Sequence, residues 1–310
     1  MALEFHSFAD AKPFKFLVGK AGKPFFVHAK LASHQSSTLA TLIDGAMVEA
    51  EREFAVFDDV EEKTFIRFME FAYTGDYSVA EPVVVPHQPD IDVENGEDSR
   101  GGSVSPKMTD DPDAYPPDVL EEVQVEEPDF DFPPPPRKKD KKKRITDPWA
   151  FSGDEPAAPE PPKKSKGEQL WESFQDEAIV RAPSPWRPTT NSDDSEDYTL
   201  VFLCHAKLYV FADKYSVEPL LNLVLQKLRL NLSRFILHSR RIGDVVELLQ
   251  YAYENTADYR DGIDRLRDMV TDYVVCHLEK IVGHSDFGKL LKENGDVAKD
   301  LMPKLVRRLD

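Results

Sequence analysis

Proline is the residue that most constrains how this chain folds, because it donates no backbone hydrogen bond and interrupts helices and central strands. All but four of the 24 prolines lie between Pro82 and Pro188. The same stretch holds four consecutive prolines and separate acidic and basic blocks, which favour an extended, solvated backbone. We therefore predict that residues 81–198 are disordered and that two ordered ends flank them.

Charge and composition exclude several classes of protein. The net charge of −18 repels phosphate backbones and anionic lipids, so we expect no specific nucleic-acid binding. No apolar run is long enough to span a membrane. The first residues, MALEFHSFADAK, lack the apolar stretch of a signal peptide, so we expect a nuclear or cytoplasmic protein that is not secreted. Cys204 and Cys276 have no spaced ligand partners, so neither a disulfide framework nor a metal site is expected.

Residues 12–80 combine short β-rich runs with helical patterns. FKFLV (14–18) and PFFV (24–27) flank two glycines and predict a hairpin, and EFAVF (53–57) predicts a third strand. Short helices are predicted at 28–34 and 36–45, the second capped by a serine. A longer helix follows, with Asp59 as its expected cap and Gly75 as its stop, and the apolar positions on its face are Phe65, Phe68, Met69, Ala72 and Tyr73.

Helical periodicity returns at residue 199. Residues 199–232 predict a tight helical hairpin, in which Ser216 would cap the second helix and Pro219 would lie in its first turn. Further helices are predicted at 244–256, 262–283, 285–295 and 296–309, within a helical region of residues 240–310. The two ordered ends together predict an α+β fold.

The first end resembles the BTB/POZ family, most closely its filamentous-fungal branch. The resemblance rests on residues that occur in the same order as in the family and end with the segment FAYTGDY (71–77). They are His28, Leu31, Ser36, Leu39, Gly45, Met47, Glu49, Phe54, Val56, Asp59 and Phe65. It implies a small β-sheet flanked by helices and completed by two more helices, which residues 205–228 resemble. On this interpretation one BTB/POZ domain consists of residues 12–80 and 199–232, interrupted by the disordered insert of residues 81–198, and residues 240–310 form a helical extension.

The interpretation gives a predicted core: Phe16, Val27, His28, Leu31, Leu39, Phe65, Phe68, Met69 and Tyr73. We interpret His28 as a packed, hydrogen-bonded histidine, because it has no second metal ligand in range. Ile66 and Phe71 lie off the apolar face of their helix and could contact a partner. Pro13 and Ala29 stand where repressor-type members carry an acid and an arginine, so a repressor-type groove is not expected.

The resemblance implies protein–protein interaction, commonly homodimerisation, and we predict a self-associating scaffold or adaptor. Its contact surface would come from the N-terminal segment and the helices of residues 28–45. One alternative is a substrate adaptor that links unknown proteins to a cullin-type ubiquitin ligase, since Val79-Ala80-Glu81 fits the hydrophobic-x-acid motif of cullin-binding members. Another alternative is a nuclear transcription-related regulator that has no DNA-binding domain of its own.

The insert carries two further features. One is a basic block, interpreted either as a nuclear localisation signal or as a charge run that balances its acidic flanks, made of Arg137, Lys138, Lys139, Lys141, Lys142, Lys143 and Arg144. The other is the set of all three tryptophans, Trp149, Trp171 and Trp186, which are candidate anchors for a partner or for the folded ends. Residues 168–182 could form an amphipathic helix, which would be marginal in isolation.

Catalytic motifs are missing from the sequence. It contains no GxxxxGK[ST], GxSxG, HExxH or CxxC, and its eight histidines are scattered. We therefore predict no enzyme activity and no cofactor.

Overall fold

The structure is a computed structural model, and it describes residues 5–45, 48–86, 164–179, 186–259 and 262–309. The basic block of residues 137–144 and Trp149 lie outside the described residues. The described part is mixed α and β and mostly helical, as the α+β prediction requires. None of its helices is long and apolar enough to cross a membrane.

The main sheet has three strands, β1 (Pro13–Val18), β2 (Lys23–His28) and β3 (Phe54–Phe57), in the order β2-β1-β3. β1 and β2 form the predicted antiparallel hairpin, and β3 pairs with β1 in parallel. The hairpin turn requires glycine at two positions, because Gly19 and Gly22 have φ angles of +74° and +61°. Local turn chemistry therefore sets the register of the β1–β2 hairpin.

Four helices surround the sheet: α1 (Ala29–Gln35), α2 (Ser37–Asp44), α3 (Val48–Arg52) and α4 (Glu62–Thr74). The Ser36 hydroxyl caps α2 by accepting the Leu39 N–H at 3.0 Å, and Gly75, with φ +79°, ends α4 as predicted. The predicted Asp59 cap is wrong. α4 begins at Glu62, two residues later than an Asp59 cap requires, and Glu61 precedes it without a side-chain cap. Asp59 pairs with Lys214 at 2.5 Å.

α6 (Thr199–Lys214) and α7 (Glu218–Arg234) form the predicted helical hairpin, and α6 packs directly on α4. The Phe211 ring lies 4.8 Å from Phe68, and Tyr215 stacks on Phe57 at 4.5 Å. Residues on both sides of the insert therefore share one hydrophobic core. The predicted Ser216 cap is wrong, since Ser216 adopts a left-handed conformation (φ +54°) in the tight turn and Val217 precedes α7.

Residues 81–198 are not disordered throughout, which corrects the prediction. β4 (Val83–Val84) pairs antiparallel with β5 (Glu196–Asp197), so the chain leaves and re-enters the fold at one ladder. Helix α5 (Lys166–Ile179) packs against the C-terminal part of the chain. Ser165 and Glu168 form a reciprocal capping box at its start, and tertiary packing supplies the stability that an isolated helix of this length lacks.

The C-terminal part contains α8 (Ile242–Asn255), α9 (Arg265–Cys276), α10 (Leu278–Ile281), α11 (Ser285–Glu293) and α12 (Gly295–Leu309). The single helix predicted over 262–283 is broken at His277, which leaves helical geometry. α8 packs on α6, and α9 on α8 and α12, so these helices extend the same core. Two short 3₁₀ turns lie at Phe5–Ser7 and Ser239–Arg241.

Candidate interaction site

Alternation along the three strands gives the main sheet two faces. Phe14, Phe16 and Val18 of β1 point into the core and are buried. The strand register places the intervening residues opposite one another: Lys15 pairs with Phe26 and Phe54, and Leu17 pairs with Pro24 and Val56. We call this second face the outer sheet face, and it consists of Lys15, Leu17, Pro24, Phe26, Phe54 and Val56.

The outer sheet face is apolar although it faces solvent. Phe26 and Val56 are each 57% exposed, and Leu17 and Phe54 are half-buried. Lys15 is its one charged residue, and the ammonium group lies 5.1 Å from the centre of the Phe54 ring. Among the described residues, nothing covers Phe26 or Val56. This exposed apolar face is therefore the candidate interaction site on the sheet.

The helices predicted to form the self-association surface have a polar outer side. Their apolar residues Leu31, Ala32, Leu39 and Ile43 are buried. The residues they expose are polar or charged: Lys30, His34, Ser37, Thr38, Thr41 and Asp44. Neither of these two helices therefore presents a large exposed apolar side chain, whereas the sheet presents Phe26 and Val56.

Most of the predicted core residues are buried, namely Phe16, Val27, Leu31, Leu39, Phe65 and Phe68. Met69 is only half-buried, but it packs against the core. His28 is half-buried as well, and it is packed and hydrogen-bonded as predicted, since its ring lies 5.6 Å from that of Phe8 and its Nδ1 has a polar partner. The prediction for Tyr73 was wrong, because Tyr73 is 41% exposed. The Tyr73 hydroxyl needs a polar partner, and it lies 2.7 Å from Nδ1 of His28 at the edge of the fold.

The two residues predicted to lie off the apolar face of α4 behave differently. Ile66 is 46% exposed and is free to meet a partner. Phe71 is 8% exposed and belongs to the main core, because α1 and α6 both pack against α4 and cover more than one side of it. The prediction for Phe71 was therefore wrong.

The cullin-type motif follows α4. Val79 is half-buried against the core, and the Ala80 N–H donates to Sγ of Cys204 at 3.4 Å. Glu81 is exposed. The acidic residue of the motif is thus accessible, whereas the hydrophobic residue is partly used by the chain's own core.

Two of the three tryptophans contact the folded ends of the same chain. The Trp171 ring packs edge-on against His277 at 4.5 Å and against Tyr273 at 5.9 Å. The ammonium group of Lys227 lies 4.8 Å from the Trp186 ring. The tryptophans were predicted to anchor either a partner or the folded ends of the chain, and Trp171 and Trp186 contact the folded ends.

A buried polar network connects the end of α4 to α6 and α7. Oη of Tyr77 lies 2.6 Å from Nδ1 of His205, and Nε2 of His205 lies 2.7 Å from the Asn231 amide. Lys227, which is 2% exposed, donates to the Tyr77 carbonyl at 2.7 Å and pairs with Asp76. Both nitrogens of the imidazole therefore have a polar partner inside the core.

Sequence reasoning missed this network. One local signal for it exists, because the polar residues Lys227 and Asn231 stand one turn apart among the leucines of α7. Burial lowers the pKa of His205 to about 3, with the charges of Lys227 and Arg67 adding to the effect, and burial raises the pKa of Tyr77 well above its usual value. Both groups are thus neutral near pH 7. Their pKa values lie far from the near-neutral value that suits an acid–base catalyst.

The described residues contain no group of three or more His, Cys, Asp or Glu side chains that could hold a metal ion. Compared with known proteins, the chain matches no family model, and no curated protein is significantly similar to it.

Proposed function

We propose that the chain is a protein–protein interaction module built on a BTB-type domain, and that it self-associates through the outer sheet face. The BTB assignment is supported by a small sheet flanked by helices and by the helix pair of α6 and α7, of which α6 packs on α4. A single domain interrupted by the insert is also supported, because β4 and β5 pair the two ends of the insert with each other.

The exposure of Phe26 and Val56 carries the proposal of self-association. By ideal sheet dimensions the outer sheet face measures about 14 Å across and 13 Å along the strands, or roughly 200 Å². A stable complex buries about 800 Å² per partner, so flanking surfaces must contribute to the interface. We therefore expect a two-fold homodimer of micromolar affinity, with the apolar face at its centre.

Sedimentation velocity of the full chain over a range of micromolar concentrations tests this proposal. We expect wild-type protein to dimerise reversibly and the Phe26→Lys and Val56→Lys variants to stay monomeric, because each places a charge in the centre of the interface. Val282→Lys is the matched control, since Val282 is an exposed apolar residue that follows α10 rather than lying on the sheet. A monomeric wild type, or a dimer unaffected by both substitutions, would refute the proposal.

The role of a cullin-type substrate adaptor stays a second proposal, supported by the motif at Val79 and Glu81 and by the exposure of Glu81. A pull-down with the host's cullin tests it, and recovery that is lost in Glu81→Lys would support it. A nuclear role depends on the block at 137–144, and the localisation of a variant with these cations replaced by alanine tests that prediction.

A further inference from the structure

Helix α5 occupies a groove formed by α7, α9 and α12. Phe174 and Ala178 of α5 are 4% and 1% exposed, and Leu170 and Trp171 are half-buried against the core. These four residues form one stripe along the helix, so α5 is an amphipathic helix seated by its apolar side. Helix-in-groove binding of this kind is a common way for a protein to recognise a peptide segment.

The groove has specific places for the two aromatic rings. Trp171 stacks on Phe174 with ring centres 5.7 Å apart and meets the edge of His277 from α9. Phe174 lies against Tyr273 at 5.9 Å, and the Arg229 guanidinium of α7 lies 4.9 Å from its ring centre. The groove thus accommodates two aromatic residues three positions apart and a small residue four positions later.

Charge also favours an acidic helix in this groove. α5 contains one lysine and four acids, Glu168, Glu172, Asp176 and Glu177, which gives a charge of −3. The groove is bordered by Arg229, Lys304 and Arg307, and Arg308 lies beside Gly167 in the first turn of α5. Lys304 and Arg308 already pair with acids of α9 and α10, whereas Arg229 pairs with Glu177 of α5 and Arg307 forms no ion pair within the described residues.

Helix α5 buries fewer of its residues than the central helix α6 does. Only Phe174 and Ala178 are buried among its described residues, whereas α6 buries residues on all its sides. Its first turn also contains Gly167, which lowers its intrinsic helix stability. A helix of this kind opens at a lower free energy than the core does.

We propose that the groove between α7, α9 and α12 is a binding site for an acidic amphipathic helix of a partner protein, and that α5 is its internal competitor. The tether between α5 and Trp186 is six residues long, so the local concentration of α5 is high and the groove is filled at rest. A partner helix with the same aromatic spacing displaces α5 by mass action. The site lies outside the outer sheet face and does not depend on self-association.

Fluorescence anisotropy with a labelled peptide of residues 164–179 tests the proposal on the full chain. The Phe174→Asp variant should release α5 and leave the groove intact, so we expect it to bind the peptide at least ten-fold more tightly than wild-type protein does. Asp176→Asn is the matched control on the exposed side of α5 and should behave like the wild type. A peptide with alanine in place of both aromatic residues should show no saturable binding.

Three results would overturn the proposal. The first is no saturable binding to the Phe174→Asp chain, and the second is equal binding to it and to wild-type protein. The third is a wild-type dimer that is lost in Phe174→Asp, because this would assign the groove to α5 of a second copy.

Hydrogen exchange on the wild-type chain gives an independent measurement should Phe174→Asp fail to fold. We expect the amides of α5 to exchange faster than those of α9 and to lose further protection when unlabelled peptide is added in excess. Protection of α5 that equals the protection of α9, or that does not respond to the peptide, would contradict the proposal.

Discussion

The buried network at His205 makes the stability of the fold depend on pH. The folded-state pKa of His205 is about 3, below its ordinary value of 6.5, because the ring is fully buried and lies near the charges of Lys227 and Arg67. The unfolded chain binds a proton below pH 6.5 and the folded chain does not, so stability is present above pH 6.5 and is lost as pH falls toward 3. At pH 5.5 the expected loss from this one residue is about 1.4 kcal/mol.

His205→Gln isolates this effect, because glutamine keeps polar groups near Tyr77 and Asn231 and does not titrate. Other groups with shifted pKa values are present in both wild type and His205→Gln, so their effects cancel in the comparison. Burial raises the pKa of Asp244 to about 6, which favours folding as pH falls, and burial lowers the pKa of His277 to about 4, which opposes it. The comparison is made at pH 7.5 and pH 5.5, both above the pI of about 4.9, where solubility is poorest.

Urea unfolding at the two pH values provides the assay. We expect the difference in unfolding free energy between wild type and His205→Gln to decrease by about 1.4 kcal/mol from pH 7.5 to pH 5.5, because only the wild type loses this stabilisation. A difference that stays constant between the two pH values would refute the reasoning that His205 is neutral in the core.

Two further predictions concern the split fold. Lys227→Met should lower the unfolding free energy by about 2–3 kcal/mol, because the Tyr77 carbonyl loses a charged donor inside the core. The control Lys207→Met removes only a partly exposed pair with Glu61 and should cost less than about 1 kcal/mol; equal effects in urea titrations would contradict this. Replacing residues 87–163 by a short Gly/Ser linker should leave cooperative thermal unfolding intact. Truncation after residue 80 should abolish it by removing the cover over Phe57 and Phe68, and a cooperative transition in the truncated chain would contradict the shared core.

Local patterns predicted much of the fold. Two glycines and alternating apolar residues were enough to predict the β1–β2 hairpin. A 3.6-residue period that ends at Gly75 was enough to predict α4. Position within the packed fold was harder to predict. Helical spacing placed Tyr73 in the core and Phe71 outside it, because a sequence period cannot show which sides of α4 the distant α1 and α6 cover.

In the insert, too, local sequence patterns could not show contacts with distant parts of the chain. Its proline content gave no sign of α5, because α5 packs in a groove whose helices lie far along the chain, the last of them at Gly295–Leu309. The capping box of Ser165 and Glu168 was the local signal for its start. The outer sheet face could have been predicted from strand alternation alone, since Phe26 and Val56 fall on the side opposite to Val27, Ala55 and Phe57.

Hydroxyl-radical footprinting of the full chain as a function of protein concentration tests the central claim most directly, because it reads the solvent exposure of individual side chains. We predict that oxidation of Phe26 decreases as concentration rises, in parallel with dimer formation, and that oxidation of the exposed control Met302 of α12 does not change. Oxidation of Phe26 that stays constant while the chain associates, or no association at any concentration, would contradict the assignment of the outer sheet face as the self-association site.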